Sequence, residues 1–182
     1  MKTRWKQGIT FAPLLMLIMI SLSSVATASL AGWGVVHMGG AIIDSACAIA
    51  IGDRDQTINM GTVPISQIVR NGQGEDMPFS VKLVNCVLER HRPHIPDWKY
   101  FRVTFDGSID GKGFGVQGEA EGIVIQITDS YGNIASPGVA MPINEIVPGD
   151  MLLNYSFKLI GNNKPLRAGD YFSTIKFKLD YY

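Results

Sequence analysis

An all-β sandwich is the fold class this sequence predicts, on three observations. Seven or eight short runs alternate apolar and polar residues with the period of two that a pleated strand imposes. Turn residues recur between those runs at regular spacing, and no stretch carries a convincing helical period. The last run, residues 170–182, places Tyr171, Ile175, Phe177, Leu179 and Tyr181 on one side, interrupted only by Ser173. Thr174, Lys176, Lys178 and Asp180 fall on the other side. An apolar strand this long must be covered, or it stands as an open template for another strand. The pattern predicts that the covering strand comes from a different polypeptide.

Residues 1–28 read as a secretory signal. Lys2, Arg4 and Lys6 open it, Phe11 to Ile20 form an apolar run, and Ala26-Thr27-Ala28 supplies a small-x-small cleavage site. Cleavage after Ala31 is the alternative. The apolar run spans about a dozen residues, short of the about 20 that a membrane-spanning helix needs. Removing residues 1–28 from 182 leaves 154, enough for one domain with its own core. Three of the 16 basic residues leave with the signal and none of the 16 acidic ones, so 13 face 16 and the net charge is −3. That weak acidity argues against a nucleic-acid partner. Two cysteines, Cys47 and Cys86, in a secreted chain suggest one disulfide. Closing a loop of about 40 residues would stabilise the fold by about 4 kcal/mol.

In chain order, Leu30, Gly32, Gly34, Val36 and Met38 alternate along a glycine-rich stretch that ends at Gly39-Gly40. Residues 41–51 read as a core strand carrying Cys47. Residues 52–55 form a turn, and 57–61 a short strand. Residues 65–69 suggest one helical turn, broken by Asn71-Gly72-Gln73-Gly74. Phe79, Val81, Leu83 and Asn85 alternate into a strand that ends at Cys86. Residues 87–98 read as a surface loop, and Phe101, Val103 and Phe105 as a strand stopped by Asp106-Gly107. A glycine-rich passage, 111–122, leads to the Ile123, Ile125, Ile127 strand. Residues 129–133 form a turn and 134–150 an irregular link. Leu153, Tyr155, Phe157 and Leu159 mark the strand before the terminal one. No internal repeat or linker divides the chain.

Catalytic and metal-binding readings lose to plainer ones. His91 and His94, near Cys86, sit in a proline-rich loop, and a cysteine used in a disulfide is no ligand. Gly111-Lys112-Gly113 lacks the full phosphate-loop pattern and no helix follows it. No Gly-x-Ser-x-Gly elbow is present, and the histidines have no nucleophile partner in view. Asp106, Asp110 and Asp129 stand in turn contexts. The sequence predicts neither an enzyme, a cofactor nor a metal site.

Several phrases together resemble the pilin subunits of chaperone–usher fimbriae. They are Gly40-Ala41-Ile42-Ile43 leading to Cys47, residues 79–86, Arg102 to Gly107, Gly132 to Ala135, and the Gly169 to Tyr181 ending. The resemblance spans the mature chain and implies an incomplete immunoglobulin-like β-sandwich lacking its last strand. It further implies a donated N-terminal extension, residues 29–40, ahead of a pilin domain at 41–182. Leu30, Gly32, Gly34, Val36 and Met38 would be donor-strand positions. Tyr171, Ile175, Phe177, Leu179 and Tyr181 would line the groove and the chaperone-binding strand. The implied partners are a periplasmic pilus chaperone, an outer-membrane usher and neighbouring pilin subunits. The implied location is the cell-surface fimbrium, reached through the periplasm.

Met60-Gly61-x-x-Pro64, the Arg102 to Gly107 run and Ala168 to Phe172 are similar to the P-pilus subunit that terminates and anchors the rod. An ordinary major or minor pilin within the shaft is the alternative. A secreted immunoglobulin-like binding module would place a tryptophan between its cysteines, and Trp5, Trp33 and Trp98 all fall outside them.

Overall fold

The computed structural model describes residues 32–40, 42–92 and 94–182. The signal at 1–28 and Leu30 lie outside the described residues. The chain divides into two units at Ile42 and Ile43. In the first, residues 32–40 form no helix or strand and all are exposed, Trp33 at 99% and Met38 at 93%.

The second unit is a β-sandwich. One sheet runs in the order β1 (Ala48–Ile49), β2 (Gln73–Cys86), β9 (Gly149–Gly161), β7 (Ile123–Asp129), β5 (Gly113–Gly115), β4 (Ile109–Asp110). The other runs β11 (Lys176–Tyr181), β3 (Tyr100–Asp106), β8 (Asn144–Glu145). A small ribbon joins β10 (Tyr171–Phe172) to β6 (Gln117–Gly118). All these pairings are antiparallel.

The period-two residues face inward as the pattern requires. Phe101, Val103 and Phe105 of β3, Val81 and Leu83 of β2, and Ile127 of β7 are almost wholly buried. Phe105 sits edge-on to Tyr155 at 5.0 Å, and Phe79 stacks on Phe157 at 4.2 Å. Cys47 and Cys86 form a disulfide across the β1–β2 margin.

Four local readings need correction. The strand expected over 41–51 is regular only at Ala48–Ile49, although the Ala46 carbonyl and the Ala50 amide also bond along β2. Ile42 and Ile43 stay exposed. Residues 57–61 form no strand: Asn59 Oδ1 accepts from the Gly61 amide and Gly61 turns to φ +66, so the extended run folds on itself. The helical turn expected near 65–69 is a two-turn helix, α1 (Ile65–Asn71), which starts at Pro64 and stops at left-handed Gly72. Finally, β2 begins earlier than Phe79. It tolerates Pro78 because β1 pairs only with Leu83 and Val84, leaving β2 one-sided there.

The link at 134–150 is also more ordered than its prolines suggest. The Gly138 and Met141 amides donate to the Phe105 and Val103 carbonyls, so this stretch runs along the second edge of β3.

Candidate functional site: a groove beside the last strand

β11 bonds to β3 on one edge, from Lys176 opposite Asp106 to Tyr181 opposite Phe101. Among the described residues its other edge has no strand partner. Beside it lies a groove of about 1030 Å³, open to solvent. One wall is residues 169–177, and the other is Ile49 with residues 53–63. The floor is Phe79, Val81, Phe105, Ile125 and Phe157. Phe79 and Phe157 are only half-buried, although core aromatics are normally covered.

The five terminal residues singled out by alternation are all half-buried. Phe177, Leu179 and Tyr181 stand in β11 itself. Tyr171 belongs to β10, and Ile175 falls in a break between the two strands. The terminal strand is therefore interrupted rather than continuous. The reason lies in bonds to residues far off in sequence: the Ser173 hydroxyl donates to the Gly115 carbonyl at 2.9 Å, and the Asp170 carbonyl accepts from the Glu119 and Ala120 amides. These bonds hold residues 170–173 to β5 and β6. Gly118, at φ +120, admits that approach, since a Cβ there would run into the Asp170 carbonyl.

The opposite wall was not legible from the sequence. The Asp53 carboxylate accepts from the Lys82 amide, and Gln56 Nε2 donates to the Ser80 carbonyl at 2.8 Å. Those two side chains tether the segment along β2 where a regular strand would otherwise run. Beyond them Ile58, Met60 and Val63 are half-buried, and all three line the groove.

Electrostatics at the groove are slight. Burial pushes the Tyr171 and Tyr181 phenols above their usual range, so both are neutral donors at physiological pH. Lys178 pairs with Asp180 at 2.8 Å on the outer side. His91 and His94 are exposed, and among the described residues no group of three His, Cys, Asp or Glu could hold a metal. The arrangement offers hydrogen-bonding backbone along an edge and an apolar trough beneath it. Both are features that bind an extended peptide.

No family model matches the chain. It is 33% identical over 160 residues to the PRS fimbrial minor pilin protein of Escherichia coli, covering 82% of each chain. It matches the PAP fimbrial minor pilin protein of the same organism at the same identity and coverage. Among solved structures, that of a chaperone–usher pilus superposes with a TM-score of 0.68 at 21% identity, covering 84% of this chain and 97% of the other. This last similarity establishes the shared fold.

Proposed function

The chain belongs to the fimbrial pilins, which are structural proteins rather than enzymes, and from that premise we propose that it is a chaperone–usher pilus subunit completed by a strand from another polypeptide. The free edge of β11 beside an apolar groove is the observation that carries this reading. An inserted strand adds main-chain hydrogen bonds along β11 and covers Phe79 and Phe157, whose exposure otherwise costs solubility. A periplasmic chaperone fills the groove first. The outer-membrane usher then receives the subunit and passes it to the cell-surface fimbrium.

Residues 1–28 serve as the export signal and 29–40 as the extension donated to a neighbouring pilin. Gly32, Gly34, Val36 and Met38 are exposed and outside any strand, which leaves their backbone free to pair. Glycines at alternate positions let a backbone approach closely where a side chain would collide. Tyr171, Ile175 and Phe177 form the groove side, and Leu179 and Tyr181, expected there too, continue the same face of β11 beyond the residues that line the groove.

The subunit terminates the rod at its base. Ile58, Met60 and Val63 already line the groove, and that supports a groove with reduced room for a second donor strand. The chaperone complex, offered a peptide copying a pilin extension, retains its chaperone on this reading. Displacement of the chaperone would make the chain an ordinary shaft pilin. Deleting residues 30–38 blocks incorporation into fibres and leaves chaperone binding intact; a deletion mutant still built into fibres contradicts the donor role.

A further inference from the structure

We infer that Asp53 and Gln56 close the outer edge of β2 to strand addition, so that a strand entering the groove can pair only with β11. This rests on the strand-binding reading of the groove given above.

β1 sets the register on that edge, with Ala48 opposite Val84 and Ile49 opposite Leu83. The same register places Ala50 opposite Lys82 and Gly52 opposite Ser80. A regular antiparallel ladder would exchange two main-chain bonds between Ala50 and Lys82. Only one forms, from the Ala50 amide to the Lys82 carbonyl at 2.9 Å. The Ala50 carbonyl instead accepts from the Asp53 amide at 3.0 Å, as the chain turns into a short 3-10 helix at Ile51–Asp53. The Asp53 carboxylate then takes the Lys82 amide in place of that carbonyl. Two residues back along β2, Gln56 Nε2 donates to the Ser80 carbonyl at 2.8 Å, where the Gly52 amide would have donated. Two side chains thus continue the ladder after the main chain has left it.

Pro78, the next residue on the same edge, has no amide to offer. Among residues 78, 80 and 82, none keeps both a free amide and a free carbonyl, the pair an antiparallel neighbour engages. This closed edge borders the same opening as β11: Asp53, Gln56, Phe79 and Val81 line the groove together with Ile175 and Phe177. An extended peptide entering it meets two sheet margins, and pairing along β2 would leave β11 open. β11 carries no strand on its free edge among the described residues, so the two margins differ in what they offer.

The test uses the full chain co-purified with its periplasmic chaperone, as wild type, Asp53→Asn, Gln56→Ala and the double variant Asp53→Ala/Gln56→Ala. The probe is a peptide copying residues 29–40 and carrying a photo-crosslinker, with amide exchange read in parallel. Wild type is expected to give only background crosslinking to residues 78–82. Asp53→Asn, which keeps an acceptor oxygen for the Lys82 amide, is expected to match it. The double variant is expected to raise crosslinking there roughly tenfold or more and to speed Lys82 amide exchange, with the β9 amides equally protected. Unchanged Lys82 exchange overturns the assignment, as does a parallel loss of protection through β9, which would mark a merely structural role. If the double variant yields no complex, Gln56→Ala, which removes only an exposed side chain, decides by the same readouts. A wild-type chain that holds neither chaperone nor peptide overturns the groove reading and this inference together. A stable wild-type complex, with no added crosslinking to β2 in the variants, overturns this inference alone.

Discussion

The Tyr181 hydroxyl donates to the Cys47 carbonyl at 3.4 Å, joining the end of the last strand to the segment that enters the first. Cys47 is in turn bonded to Cys86 at the end of β2. Trp98 packs edge-on against Tyr181 at 6.0 Å, and the Arg90 guanidinium stacks 3.3 Å above the Trp98 ring. The two sheet margins that separate around the groove are thus held together at this end. Replacing both cysteines by alanine should lower stability by about 4 kcal/mol, read from the urea midpoint. Tyr181→Phe should cost about 1 kcal/mol, the net value of one hydrogen bond.

The two faces of β11 should respond differently to substitution. Phe177 and Leu179 are half-buried, while Lys176 and Lys178 are exposed. Phe177→Ser or Leu179→Ser should reduce recovery of the chaperone complex by about tenfold or more, from the lost apolar burial. Lys176→Ser and Lys178→Ser should leave recovery within about twofold, as outward polar positions do. Pull-down from periplasmic extract measures both.

Core and surface positions give a second contrast. Phe105 is 2% exposed and sits among Phe79, Tyr155 and Phe177. Phe105→Ala should cost about 3–5 kcal/mol of unfolding free energy. Leu152, 57% exposed on β9, should tolerate alanine within about 0.5 kcal/mol.

Stability should fall at both ends of the pH range. Lys164, 2.9 Å away, holds the Asp110 carboxyl below its usual range, with Asn162 assisting. A depressed folded pKa contributes stability above the unfolded value, near pH 4, and loses it as pH falls through the folded value. The difference between wild type and Asp110→Asn should therefore shrink as pH drops below about 4. Burial raises the Tyr155, Tyr171 and Tyr181 phenols, so their contribution is complete below about pH 10 and is lost as pH rises beyond it. Tyr155→Phe should flatten that alkaline decline in a pH series of urea midpoints.

The strands that could be read from residues alone are those with one wet face and one dry one. β3, β7 and β9 announce themselves through Phe101-x-Val103-x-Phe105, Ile123-x-Ile125-x-Ile127 and Tyr155-x-Phe157-x-Leu159. The break in the terminal run leaves no local pattern because its cause is distant in sequence. Ser173 looks like a flaw in the apolar pattern until its bond to Gly115 is seen. α1 is too short to establish a period of 3.6 residues, and only Pro64 and Gly72 bracket it. The groove wall at residues 53–63 was hidden for a related reason. It is held by Asp53 on the Lys82 amide and Gln56 on the Ser80 carbonyl, contacts that no local pattern encodes. The floor needed the topology too: alternation places Phe79 and Phe157 inward, but only the strand order reveals that the inside is open there.

On the proposed reading, this fold requires a strand it does not supply. Native mass measurement of the subunit purified from periplasm tests it most directly. A stable one-to-one complex with a second protein is the expected result, with aggregation once that protein is removed. A soluble, lone monomer with an ordinary cooperative unfolding transition would contradict it.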